Sequence, residues 1–272
     1  MKSRIVATLL VACTGLAQAV VIGTTRFDAP PSAASSASAA SGGNVTLSEQ
    51  ATNVSKDGKT LGADSVGLQA LDDARVLITA GHAQEAIDRH IAPLLADLEA
   101  QYRDLPGTRY CANTTPELLI YLLQSSLAKK EATAVDSNLC NAYFLRGYAE
   151  VDLGQTAAAE ADFERALALS PLNPHYLSEM GDLHLHRHDN AGALAYFAQA
   201  QDGAVSYAPK GKETHELTRA LRGAGYAQVE LGKLADAEAS YRRCLELDPG
   251  DDKAKAELGY VVDLRAKAAP AK

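Results

Sequence analysis

Residues 143–171 read YFLRGYAEVDLGQTAAAEADFERALALSP, and residues 221–249 read LRGAGYAQVELGKLADAEASYRRCLELDP. The two align without a gap. Gly147 matches Gly225, Gly154 matches Gly232, Ala159 matches Ala237, Phe163 matches Tyr241 and Pro171 matches Pro249. Between them, LSEMGDLHLHRHDNAGALAYFAQA (177–200) keeps the same frame through Gly181, Ala193, Phe197 and Ala200. Self-similarity at such a period marks a stacked-repeat architecture. Gly147 to Gly181 is 34 residues and Gly181 to Gly225 is 44, so about ten residues are inserted near 202–213.

These units resemble the tetratricopeptide repeat, which implies two helices joined by a turn in each. Small residues at Gly147 and Ala159 let the two helices approach closely, while Phe163 and Leu167 fill the space between neighbouring hairpins. Pro171 ends the second helix, because proline lacks the N–H and its ring clashes with the preceding turn. The predicted hairpins span about 140–170, 174–201 and 218–248.

With its large residue, Gly, Ala, aromatic, Ala and closing Pro in this order, the chain resembles the tetratricopeptide repeat (TPR) family. The resemblance covers about residues 140–251, with clear repeats at 140–173, 174–203 and 218–251 and a degenerate copy at 67–95. It implies an all-α helix-turn-helix solenoid over 63–267, in which a helix from about Asp252 to Lys267 forms the solvating C-terminal cap and 268–272 is a tail. Arg146 and Glu150 depart from the family, standing where it usually has apolar or aromatic residues.

The rest of the chain agrees. Ala and Leu dominate and Trp is absent, which favours helix over sheet. The net charge is −8, but residues 1–62 hold five Lys/Arg against three Asp/Glu, so 63–272 carry −10. That balance argues against nucleic-acid binding, which wants a basic surface.

The N-terminus reads as a targeting segment, residues 1–22. Lys2 and Arg4 precede an apolar run from Ile5 to Leu16, and Ala17-Gln18-Ala19 is a small-x-small cleavage site. Cleavage after Ala19 is preferred over two rivals. In one, LVAC (10–13) is a lipoprotein box with Cys13 lipidated; in the other, Ile5 to Ile22 stays in the bilayer uncut. All three export the chain, to the periplasm or envelope, with membrane contact only through this segment. Residues 23–62 include APPSAASSASAASGG (29–43), which has no apolar face and is expected to be a flexible linker.

LHLHRHDN (183–190) places three histidines at alternate positions. On a helix His184 and His188 share one face while His186 points away. The repeat frame puts His184 between the two helices, His186 in the groove, and His188 at the position of the turn glycine. Three ligands pointing three ways do not make a tetrahedral site, so no metal is expected.

Beyond Cys13, the cysteines are Cys111, Cys140 and Cys244. Cys244 takes a position that is Ala in the other repeats and reads as packing. Cys111 and Cys140 bracket a predicted helix from Pro116 to about Lys130, and an antiparallel return would bring them together in an oxidising compartment. Spacing alone permits three pairings, or none. Enzyme signatures are missing: DGKT (57–60) lacks the upstream glycine of a phosphate loop, and HELTR (215–219) lacks the second His of a zinc protease. No catalytic residue and no cofactor is expected.

The resemblance implies a non-enzymatic scaffold that binds a protein or peptide in the concave groove lined by the first helix of each repeat. Mapping by repeat position gives Asn141, Phe144 and Tyr148, then His175, Ser178, Asp182 and His186, then Arg219, Arg222 and Tyr226. Aromatics at one end and two arginines at the other would suit an extended segment ending in an acidic or carboxylate group. The carboxylate-clamp subfamily has Lys and Asn where Phe144 and Tyr148 stand. Two other readings remain: a His/Cys-dependent metal-binding enzyme, and a structural subunit whose groove is filled by its own N-terminal helices or by a second copy.

Overall fold

Residues 45–47 and 65–268 are described in a computed structural model, and all belong to one of the chain's two units, Ser38–Lys272. The expected targeting segment and nearly all of the expected linker lie outside the described residues. The predicted all-α solenoid is present. Its hairpins are α5 (Ser137–Asp152) with α6 (Thr156–Leu169), α7 (Pro174–His186) with α8 (Asn190–Tyr207), and α9 (Glu213–Glu230) with α10 (Leu234–Leu247). The cap is α11 (Asp252–Ala268). Among the described residues no helix is long and apolar enough to cross a membrane.

The helix ends follow from local chemistry. Asp136 opens α5 by accepting from the Asn138 N–H at 2.7 Å, Asn173 opens α7 by accepting from His175 N–H at 3.1 Å, and Asp189 opens α8 by accepting from Gly192 N–H at 2.9 Å. The first helix of each hairpin ends in a left-handed residue, Gly154 and Gly232 at φ +71° and His188 at φ +59°. Each of these N–H groups turns back to Val151, Val229 or Leu185, and the next residue's N–H reaches five residues back. His188 thus occupies the turn-glycine position expected of it, in a conformation that costs a side-chain-bearing residue.

Inside each hairpin a glycine faces a ring. A Cβ added at Gly147, Gly181 or Gly225 would lie 2.7 Å from the ring of Phe163, Phe197 or Tyr241. All three rings are buried, each contributing about 2–3 kcal/mol through burial. Gly223 meets Phe197 from the next hairpin in the same way, so one ring holds two repeats together.

The stretch expected to be a degenerate copy is helical. α1 (Ser65–Thr79) returns through α2 (Ala83–Ala86), a π turn (Ile87–Ile91) and α3 (Ala92–Tyr102). Leu71, Ile78, Ile91, Leu95 and Tyr102 pack with Leu139, Ala142 and Leu145 of α5 in one core. The ten-residue insertion lies mostly in helix: α8 and α9 each run to 18 residues, leaving only a short link.

Two features differ from expectation. Val45–Leu47, inside the stretch read as linker, forms strand β1, and β2 (Thr108–Tyr110) and β3 (Ala132–Ala134) complete a parallel sheet in the order β1-β3-β2. Three-residue strands are too short to show a period of two, so nothing in the sequence marked them. The crossover between β2 and β3 is α4 (Thr115–Leu127), the helix predicted between Cys111 and Cys140. It is pinned to the α6–α7 turn by Glu117, which is fully buried and accepts from Ser170 Oγ at 2.5 Å, Tyr121 Oη at 2.8 Å and Asn113 N–H at 2.9 Å. Burial pushes this carboxyl up despite those bonds. Cys111 and Cys140 form a disulfide with Cα atoms 6.3 Å apart, and Cys244 is free and buried, its thiol pushed up to about 11 by burial.

The glycine contacts and the left-handed caps make opposite predictions. In an open helix Gly→Ala stabilises by about 1 kcal/mol. Gly225→Ala should instead destabilise by about 1–3 kcal/mol, because the methyl must displace the buried Tyr241 ring. His188→Gly should stabilise by up to about 1 kcal/mol by relieving the left-handed residue. Urea denaturation of the two variants beside the wild type measures both.

Candidate functional site

The first helices α5, α7 and α9 share one face of the stack, and its side chains divide into those already engaged and those left open. Asn141 is engaged: it accepts from Tyr176 Oη at 2.7 Å and donates to Asn113 Oδ1 at 3.0 Å. Phe144 stacks on Phe163, Tyr176 and His175 with ring centroids 5.6, 4.7 and 5.0 Å away. Both residues join elements of the fold. Ser178 is fully buried and its Oγ has no hydrogen-bond partner, so it is closed to a ligand. The repeat frame placed it on the groove face, but the position is buried.

The two arginines expected to read an acidic partner are both taken. Arg219, on α9, donates to Glu179 at 2.5 Å and Asp182 at 3.1 Å, both on α7. Its other terminal nitrogen lies 3.0 Å from His175 Nδ1, which is also 3.2 Å from Glu216 Oε2. That single ring atom can accept from Arg219 or, protonated, donate to Glu216, but not both. Burial pushes the Glu216 carboxyl up, and His175, His215 and Arg219 more than reverse this, leaving it lowered. Around Arg219, three carboxylates face one guanidinium. Arg222 is ion-paired to Asp251, the residue that caps α11 by accepting from Ala254 N–H at 3.0 Å. Neither pairing could be read from the sequence, because the carboxylates lie 29 to 40 residues away on other elements.

What stays open is mostly aromatic. Tyr148 is 42% exposed and Tyr226 47%. His186 is exposed, and Asp182 is half-exposed beside Arg219. A third tyrosine, Tyr260, is 55% exposed on α11. It follows Gly259 as Tyr226 follows Gly225, one 34-residue period later. The Gly-Tyr pair was the available signal, obscured by treating α11 as a cap only. No described segment covers these three rings, so the N-terminal helices do not fill this face. The other histidines serve local ends: His184 Nδ1 lies 2.7 Å from Asp189 and its ring lies 5.0 Å from Tyr196, while His188 closes the helix.

Two tetratricopeptide repeat family models match the sequence, over residues 144–209 and 220–251. These two stretches are tetratricopeptide repeats. Among solved structures, that of Pseudomonas aeruginosa pilF is 12% identical with a TM-score of 0.52, covering 75% of this chain and 71% of that one. The first TPR of Spaghetti (RPAP3) bound to the HSP90 peptide SRMEEVD is 23% identical over 48% of this chain and 97% of that one, with a TM-score of 0.43. The second TPR domain of human RPAP3 in complex with the HSP70 peptide SGPTIEEVD is 24% identical over 43% and 88%, with a TM-score of 0.36. At these identities the likeness concerns the fold alone. No curated protein matches the chain.

The Arg222–Asp251 pair supports a test of its structural role. Burial raises the Asp251 carboxyl, but the Ala254 N–H and the Arg222 guanidinium outweigh it and hold the group below its usual value. A lowered folded-state pKa gives stability that is complete above about pH 4 and lost as the pH falls through the folded value. Arg222→Ala should therefore cost about 1–3 kcal/mol near pH 7, by leaving a nearly buried carboxylate unpaired. The penalty should shrink in acid as Asp251 protonates. Chemical denaturation of wild type and variant across that range measures it.

Proposed function

We propose that this protein is a non-enzymatic scaffold of the bacterial envelope that holds a protein or peptide against the face formed by its first helices. The observation that carries the reading is the row Tyr148, Tyr226 and Tyr260, half-exposed at equivalent repeat positions. A tyrosine ring offers apolar area with few rotors to freeze and a hydroxyl that can donate or accept, which is why aromatics concentrate at protein interfaces. The TPR fold supports the same reading, since such stacks present extended binding surfaces. Arg219 and Arg222 are held by carboxylates of the chain itself, so the reading does not rest on them.

Export rests on the N-terminal pattern of Lys2, Arg4 and the apolar run to Leu16, with cleavage after Ala19 preferred. The Cys111–Cys140 disulfide supports an oxidising destination. Sequencing the N-terminus of protein recovered from the source cell's envelope should find Val20 first. A chain beginning at Met1 would instead favour the uncut anchor.

Photo-crosslinking amino acids at 148, 226 and 260 should yield adducts with one partner in living cells, while the same probe at exposed Gln199 on α8 should not. Tyr148→Ala or Tyr226→Ala should each weaken capture about tenfold, roughly 1.4 kcal/mol, typical for an interface tyrosine. Adducts from position 199 alone would place the binding surface on the second helices.

A further inference from the structure

A second site lies away from the tyrosine face. Between α3, β2, α5 and α6 is a cavity of about 690 Å³, a size ordinary for small-molecule sites. Four guanidinium groups line it: Arg103 from the residue that closes α3, Arg109 from β2, Arg146 from α5 and Arg165 from α6. Their partners are too few. Arg146 and Arg165 share the single buried carboxylate of Asp162, at 2.8 and 3.0 Å. Arg109 donates to the Tyr102 carbonyl at 3.2 Å, and neither it nor Arg103 has a carboxylate partner among the described residues. Glu99, also on the wall, is taken up by the Tyr143 hydroxyl.

The arginines are also held in place. The guanidiniums of Arg146 and Arg165 both lie 5.6 Å from the centre of the Tyr143 ring. Asp162 fixes one edge of each, so their remaining N–H donors are free for a ligand. Behind them Glu150 is partly buried, and burial followed by the Asp162 charge pushes its carboxyl up, which lessens its claim on Arg146. Even with Glu150 counted as charged, four cations face three carboxylates, in a chain whose net charge is −8. Concave low-dielectric walls concentrate such a local excess of charge. Guanidinium groups suit carboxylate and phosphate oxygens because their paired N–H donors match two oxygens at once.

We propose that this cavity binds a multiply charged oxyanion, carried as phosphate or carboxylate groups on a small molecule. Arg103 and Arg109 supply the unpaired charge, and Arg146 and Arg165 supply prearranged donors. The site is independent of the tyrosine face.

The test is calorimetric titration of the full-length exported protein with two probes, inorganic pyrophosphate and citrate, at low and raised salt. One probe at least should bind with one-to-one stoichiometry and weaken as salt rises. Tighter pyrophosphate identifies a phosphate ligand, and tighter citrate a carboxylate. The double variant Arg103→Gln, Arg109→Gln should lose at least about tenfold in affinity while its thermal melting stays at the wild-type value, since neither residue joins an ion pair of the fold. Arg243→Gln, which removes a charge from an exposed pair on α10, should bind as wild type, and so should Tyr148→Ala. Failure of both probes to bind, or wild-type affinity in the double variant, overturns the proposal. A loss in Arg243→Gln equal to that in the double variant also overturns it, by showing that net charge alone governs the uptake.

Discussion

The structure depends on how closely the two helices of each hairpin can approach, and a glycine against an aromatic ring sets that distance three times. Carbon atoms attract best at about 3.5–4.0 Å. At Gly147, Gly181 and Gly225 even a methyl would sit at 2.7 Å from the facing ring, so the ring can reach the backbone only because nothing else is there. The arrangement also propagates. Phe197 is gripped on one side by Gly181 of its own hairpin and on the other by Gly223 of the next. Between the second and third hairpins the register is thus set by the same ring that closes the second.

Charge does the second part of the assembly. Arg146 reaches Asp162 within the first clear hairpin, Arg219 reaches Glu179 and Asp182 between the second and third, and Arg222 reaches Asp251 at the start of α11. Asp162 and Asp251 are nearly buried, where an unpaired carboxylate would be costly. Arg219 and Arg222 therefore fix how neighbouring helices sit rather than reaching outward. Tyr148, Tyr226 and Tyr260 stay half-exposed, and their hydroxyls have no hydrogen-bond partner among the described residues.

The fold was legible because the features that determine it are local and repeated: Gly, Ala, aromatic and Pro recur at fixed offsets, and His188 stands in a glycine's place within that frame. The sheet was not, since TRY (108–110) and ATA (132–134) become strands only by meeting each other and Val45–Leu47. The candidate face was half legible. Repeat position placed Tyr148, Tyr226 and His186 correctly at the surface, but it could not show that Asn141 and Phe144 are absorbed by neighbours, that Ser178 is covered, or that Arg219 and Arg222 are already paired. Each of those outcomes depends on a side chain 19 or more residues distant or on burial by the fold as a whole. Arg146 is the instructive case. It departs from the family's apolar preference at its position, and the departure makes sense only once Asp162, Tyr143 and the cavity beyond them are in view.

That cavity is composite in origin. Arg146 and Arg165 belong to the first clear repeat, whereas Arg103 follows α3 and Arg109 lies on β2. Walls from separate elements keep their spacing only if something joins them, and two links do so. Cys111 follows Arg109 by two residues and is bonded to Cys140, which lies on the same helix as Tyr143 and Arg146. The Cys111 N–H also donates to the Leu169 carbonyl at 3.0 Å, at the end of the helix that carries Arg165. A crosslink of this kind acts mainly by removing conformations from the unfolded chain. Here it also spans the two sides of a site whose charges repel one another, so the bond opposes the separation that four clustered guanidiniums would otherwise favour.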